Sequence, residues 1–153
     1  LSQESGAEDP GEVRFFTEYT PFSNRPETSR ILLAEDNLVN RKVALAMLSK
    51  FDLIVHPVEN GLEVLEALGG SHFDLVLMDV QMPEMDGLKA TEEIRKFDQK
   101  AINHGIPVVA LTAHAMEGDR ERCLEAGMND YISKPIQPKE LAKVLEKWIP
   151  KQT

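Results

Sequence analysis

With a single cysteine, Cys123, in 153 residues the chain can form no internal disulfide, which fits a reducing compartment. No apolar run approaches the roughly 18 residues that span a bilayer. No basic-then-apolar signal opens the sequence, and its first residue is Leu1 rather than methionine, so it reads as a fragment excised from a longer protein. Basic residues are the minority charge, 17 against 26 acids, for a formal net charge of −9. That balance argues against nucleic acid or an anionic membrane as a direct partner of this fragment. A glycine-rich or Ser/Thr-rich phosphate loop is also missing. The first apolar segment runs into AEDNLVN (Ala34 to Asn40), which offers acids where a nucleotide or flavin module needs such a loop.

What is present is enough for one domain, since 42% of the residues are hydrophobic. Residues 1 to 29 stand apart. Six acids, two bases and Pro10, Pro21 and Pro26 show no sustained period, so this segment reads as an acidic linker or upstream tail. Phe15, Phe16, Tyr19 and Phe22 are many aromatics for a solvated tether, and docking on the domain or on a neighbouring chain is the alternative.

From Arg30 the chain alternates. Apolar segments at Ile31–Ala34, Leu53–Val58, Asp74–Asp79, Ile106–Leu111 and Asn129–Ser133 predict five buried strands. Between and after them lie five predicted helices. Leu38–Ser49 is capped by the Asp36-Asn37 pair, with Val39, Val43 and Met47 on one face. A short helix follows Asn60, carries Val64, Leu65 and Leu68, and closes at Gly69 and Gly70. The third runs from about Gly87 to Phe97 with Leu88, Ile94 and Phe97 inward. In the fourth, Glu117–Ala126, only Met116, Cys123, Leu124 and Ala126 are available for burial, which implies loose packing. The last opens at Pro138 and sets Leu141, Val144, Leu145 and Trp148 along one stripe. Strands alternating with helices imply an α/β fold, a five-stranded parallel sheet doubly wound with helices on both faces. The domain then spans residues 30–149, with a short tail at 150–153.

In such a sheet every strand's carboxyl end lies on one edge, where ligands bind. The residues found there are Glu35 and Asp36, Asp79, Thr112 and Lys134. Asp79 by itself reads first as a turn cap after the strand DLVLMD. Three carboxylates on one rim, however, raise one another's pKa unless a cation joins them. Mg²⁺ suits one or two carboxylates, a backbone carbonyl and a phosphoryl oxygen. Lys134 adds a point charge and Thr112 a hydroxyl donor, which leaves Asp79 as the natural nucleophile for phosphoryl transfer.

EDN (Glu35 to Asn37), MDVQMPEMDG (Met78 to Gly87), ALTA (Ala110 to Ala113) and KP (Lys134, Pro135) occur in this order, and together they resemble the response-regulator receiver domain of two-component phosphorelays. The resemblance covers residues 30 to about 149 and implies the flavodoxin-like strand order 2-1-3-4-5. It also implies that Asp79 is the phosphoacceptor, Asp36 a direct Mg²⁺ ligand, Glu35 a member acting through water, and Gln81 a ligand through its backbone carbonyl. Thr112 and Lys134 would contact the phosphoryl group, Pro135 would follow a peptide bond that is often cis, and Tyr131 would be the switch aromatic. His114 falls where the family's residue borders the pocket and tunes water access, with plain solvent exposure as the alternative. Asn40, TAHAM (Thr112 to Met116) and EAGMNDYISKPI (Glu125 to Ile136) are similar to receivers fused to hybrid sensor histidine kinases.

The implied partners are the kinase's phosphohistidine-bearing dimerisation domain, in the same polypeptide, and a histidine phosphotransfer protein. The implied location is cytoplasmic, whether or not the parent chain is membrane-anchored. A stand-alone regulator is the alternative. A Mg²⁺-dependent aspartyl phosphohydrolase is less well matched, because its second acid two residues after the nucleophile is here Gln81. His56, His72 and His104 show no metal-ligand spacing. Cys123 reads as a helix residue, and Met82, Met85 and Met116 as gap-filling or partner-facing side chains.

Overall fold

A computed structural model describes residues 13–15, 28–97, 103, 105–113 and 117–149. Its elements run β1 (Val13–Phe15), β2 (Ser29–Ala34), α1 (Leu38–Leu48), β3 (Leu53–Val58), α2 (Gly61–Gly70) and β4 (Leu75–Asp79). Then follow α3 (Gly87–Arg95), β5 (Val108–Thr112), α4 (Glu117–Ala126), β6 (Asp130–Ser133) and α5 (Pro138–Trp148). The sheet order is β1-β3-β2-β4-β5-β6. β2 to β6 are parallel. Counted from β2 they stand in the expected 2-1-3-4-5 order with five helices.

The sheet has a sixth member that the sequence reading did not contain. β1 pairs antiparallel with β3, Arg14 opposite Ile54, inside the segment read as linker. That segment also gives up Ser29, which begins β2. The pairing engages the outer edge of β3, which would otherwise present unpaired backbone groups. Three residues carry too little alternation to signal a strand, and their partner lies some forty positions away. Phe16, Tyr19 and Phe22 lie outside the described residues, as do His104, His114 and Met116.

Side-chain alternation along the buried strands divides the core in two. Leu32, Ala34, Val76, Met78, Val108 and Ala110 face α2, α3 and α4, meeting Val64, Leu68, Ala90, Ile94 and Cys123. Ile31, Leu33, Leu75, Leu77, Val109 and Leu111 face α1 and α5, meeting Ala44, Leu48, Leu141, Val144 and Leu145. Each fully buried leucine or isoleucine stabilises the fold by ~1.5–3 kcal/mol, and these residues anchor the strand ends that carry the polar groups.

The helices are capped as local chemistry dictates. Asn37, Asn60 and Asp86 each accept from the amide three residues on. The inner face of α1 is built mainly on positions other than Val39 and Val43. Ala44 and Leu48 are buried there, whereas Val39 and Val43 are 68% and 45% exposed. Spacing of four identifies a common face but not which face meets the sheet, and of the three residues on that face only Met47 packs partly buried against the core. α3 ends at Arg95, and Phe97 packs half-buried beyond it. In α4 Cys123 and Ala126 are buried, while Leu124 is exposed. No helix among the described residues is long and apolar enough to cross a membrane.

Candidate functional site

The parallel register brings the carboxyl ends of the strands level. Ala34 is opposite Met78, Asp79 opposite Leu111, and Thr112 opposite Ser133. Glu35 and Asp36 therefore leave β2, Asp79 ends β4, Thr112 ends β5 and Lys134 follows β6 on one rim, as the spacing predicted. A cleft of about 240 Å³ opens there between the ends of β4 and β5 and helix α4, lined by Asp79, Thr112 and Lys134 and by Asp86, Asp119 and Arg122.

Lys134 is the centre of the polar network. Its Nζ lies 2.7 Å from Glu35 Oε1 and 2.8 Å from Asp79 Oδ2. The other oxygen of each acid takes a backbone donor, the Asn37 amide at 3.1 Å on Glu35 and the Gln81 amide at 3.1 Å on Asp79. Glu35 is only 2% exposed. Burial pushes its carboxyl above the usual range and the Asp79 charge adds to this, against the pull of its hydrogen bonds to Lys134 and Asn37. Burial disfavours the Lys134 charge, but the hydrogen bonds to Asp79 and Glu35 outweigh it and raise the ammonium above its ordinary value. Lys134 thus stays charged at any physiological pH. Its amide donates to the Thr112 carbonyl at 2.8 Å, and the Lys134–Pro135 bond is cis.

The donor set for a cation is all oxygen. Glu35, Asp36 and Asp79 each offer a carboxylate atom, and these atoms lie within 4.8 Å of one another. With no histidine or cysteine among them, a hard divalent ion such as Mg²⁺ fits the chemistry and a soft one does not. Both oxygens of Glu35 and both of Asp79 already hold partners, so Asp36, which is exposed, is the most available of the three.

The loop after β4 is tightly built. Glu84 adopts φ +68°, the left-handed region. The Met85 carbonyl accepts from the Gly61 amide and the Val80 carbonyl from the Gly87 amide. Tyr131, opposite Ala110 on β6, packs half-buried against the α2–α4 core, and Arg120 from α4 lies 5.5 Å from its ring centroid. Gln81 is exposed in the same loop. His72 is exposed beside Asp74, and His56 meets the Phe73 ring edge-on at 6.0 Å. Burial, with Asp119 nearby, pushes the Cys123 thiol up, which disfavours a reactive thiolate. Sequence reasoning missed Arg41, whose Nη1 donates to the Glu35 carbonyl at 3.0 Å. The only signal was its position four residues after the helix cap.

The sequence pattern described as "Response regulator receiver domain" matches residues 31–146. The sensor protein GacS of Pseudomonas syringae is 43% identical over 128 residues, which is 84% of this chain and 14% of that protein. The chain therefore spans about one seventh of that relative's length. The crystal structure of the receiver domain of a sensor histidine kinase from Pseudomonas aeruginosa PAO1, with magnesium coordinated in its active-site cleft, is similar at 42% identity and a TM-score of 0.72. That match covers 79% of this chain and 97% of that one. A second is the Saccharomyces cerevisiae complex of a histidine phosphotransfer signaling protein with the receiver domain of its downstream response regulator. It shows 28% identity and a TM-score of 0.71 over 79% of this chain and 88% of that one.

Proposed function

The chain belongs to the response-regulator receiver domain family, and from that premise we propose that it takes a phosphoryl group from a phosphohistidine onto Asp79 with Mg²⁺. The observation that carries this is the Asp79 carboxylate at the mouth of the cleft, 2.8 Å from Lys134 Nζ and clustered with Glu35 and Asp36.

An Asp79 oxygen attacks phosphorus, an O–P bond forms and the P–N bond to the donor imidazole breaks with its electron pair leaving on nitrogen. Asp36 and Asp79, with the Gln81 carbonyl, are the protein ligands in this reading. Glu35, the most deeply buried of the three acids, acts through water. Bound Mg²⁺ supplies charge neutralisation for the phosphoryl oxygens. Lys134 turns from Asp79 to a phosphoryl oxygen and stays charged throughout. The Thr112 hydroxyl donates to another, and Tyr131 fills the space that Thr112 leaves. The resulting aspartyl phosphate is an added charge that α4 responds to, or a cargo relayed onward.

We further assign the domain to a hybrid sensor histidine kinase on its cytoplasmic side, with that kinase's phosphohistidine domain and a histidine phosphotransfer protein as partners. Identity to GacS over 84% of the chain favours this over a stand-alone regulator. Leu38 and Val39 in the first turn of α1, Val43 a turn further on and Leu62 in the first turn of α2 are exposed apolar side chains, a suitable surface for a helical partner to seat its histidine.

The test is incubation with Mg²⁺ and a small acyl phosphate, followed by intact-mass analysis. The expected product is one base-labile phosphoryl adduct, absent from Asp79→Asn. Labelling that persists in Asp79→Asn refutes the assignment.

A further inference from the structure

We infer that Arg41 is a positioning residue for the acidic cluster, holding the turn that carries Glu35 and Asp36 in the arrangement that binds a divalent cation. The inference rests on the Mg²⁺ reading above and assigns a determinant of it outside the ligands. Arg41 Nη1 donates to the Glu35 carbonyl at 3.0 Å and lies 3.6 Å from Glu59 Oε2. The amide of Glu35 is fixed as well, donating to the Val58 carbonyl at 3.0 Å. The Glu35 peptide groups are thus tied on one side to the end of β3 and on the other to α1. Glu59 directly follows Val58, and its own amide is held by Glu63 Oε1 at 2.8 Å. One guanidinium therefore joins the turn after β2 to the turn after β3.

The carbonyl that Arg41 holds belongs to the peptide bond leading into Asp36. Rotation of that peptide plane would swing the origin of the Asp36 side chain, which is itself exposed. The two contacts of Arg41 are unequal. The carbonyl bond is short and the Arg41 side chain is only 17% exposed, whereas the Glu59 contact is longer and Glu59 is 61% exposed, where ion pairs are weak. Positioning is thus carried by the carbonyl bond.

Arg41 also has an opposite effect, since a guanidinium on the turn that carries Glu35 and Asp36 repels an incoming cation. The sign of the change on removing it separates the two. Loss of charge alone tightens Mg²⁺ binding, while loss of an outer support weakens it by about 10–100-fold.

The experiment measures Mg²⁺ affinity by calorimetric titration of the full 153-residue chain, with metal-free thermal unfolding as a separate readout. Arg41→Gln is expected to bind Mg²⁺ about tenfold more weakly. Glu59→Gln, which leaves the carbonyl bond in place, is expected to stay within about twofold of wild type. Arg41→Lys keeps the charge but loses the planar fork, and is expected to fall between wild type and Arg41→Gln with its unfolding temperature unchanged. If Arg41→Gln does not fold, the lysine variant decides, and wild-type affinity there overturns the inference. Affinity that is unchanged or tighter in folded Arg41→Gln also overturns it. A wild-type chain that fails to bind Mg²⁺ refutes the metal reading itself, and this inference with it.

Discussion

Gly87 lies against the back of Asp79. A Cβ built at Gly87 would stand 2.4 Å from the Asp79 carbonyl oxygen and 3.1 Å from the Val80 Cα, closer than atoms pack. Glycine thus lets the first turn of α3 pass behind the residue that ends β4, and the Gly87 amide bonds the Val80 carbonyl at 2.9 Å in doing so.

Gly87→Ala is accordingly expected to displace the Asp79–Val80 backbone, costing ~1–3 kcal/mol of stability as overpacking does and slowing labelling by an acyl phosphate. Urea unfolding and a labelling time course measure the two effects. A variant with wild-type values in both would show that the loop yields freely.

Asp79→Asn is expected to raise the stability of the metal-free domain by about 1 kcal/mol, because it leaves two mutually repelling carboxylates in the cluster in place of three, against the loss of one of the two ion pairs of Lys134. It should also remove the stabilisation by Mg²⁺, which for wild type is ~2.7 kcal/mol at a hundredfold excess over Kd. Thermal unfolding with and without the metal reads both, and a variant less stable than wild type in metal-free buffer would contradict the repulsion argument.

The pH dependence has two limbs. Glu35 has a folded-state pKa above its ordinary 4.5, so the metal-free fold holds its proton more tightly than the unfolded chain and loses stability as pH rises from 4.5 through the raised value. Lys134 is raised above 10.5, so its contribution is complete below 10.5 and is lost as pH climbs through the folded value. For Mg²⁺, protonation of Glu35 removes an acceptor, and the metal-induced rise in unfolding temperature should shrink on acidification while the pH is still above 4.5. Trp148 is a poor reporter, since its indole donates to Asp130 at the far end of β6.

Asn103→Ala is expected to cost ~2–4 kcal/mol. The buried Asn103 side chain accepts from the Phe73 amide and donates to the Leu68 and Ser71 carbonyls, and truncation strands three backbone groups, two of them in buried bonds, without those partners. Denaturant titration measures it, and a loss under 1 kcal/mol would mean that water replaces the amide.

The parallel sheet was legible because each buried strand is an uninterrupted apolar run, and the rim because polar residues end those runs. Asp79, Lys134 and Glu35 are visible as residue types at strand ends, and register alone then brings them together. Spacing put Val39 and Val43 on one face of α1 without saying which face meets the sheet, and both valines lie exposed. β1, Asn103 and Arg41 were missed for a common reason. Each acts through backbone groups far along the chain or on a neighbouring turn, and the side-chain pattern carries no trace of a carbonyl's need for a donor.

Among the described side chains of α4 only Cys123 and Ala126 are buried, and both are small. Little apolar area must be wetted to lift this helix, so it is among the cheapest parts of the domain to detach. A trigger beside such an element does not have to overcome the fold. If Asp79 carries the phosphoryl group as proposed, the sensitivity of α4 to that charge is set by how little the helix has to lose.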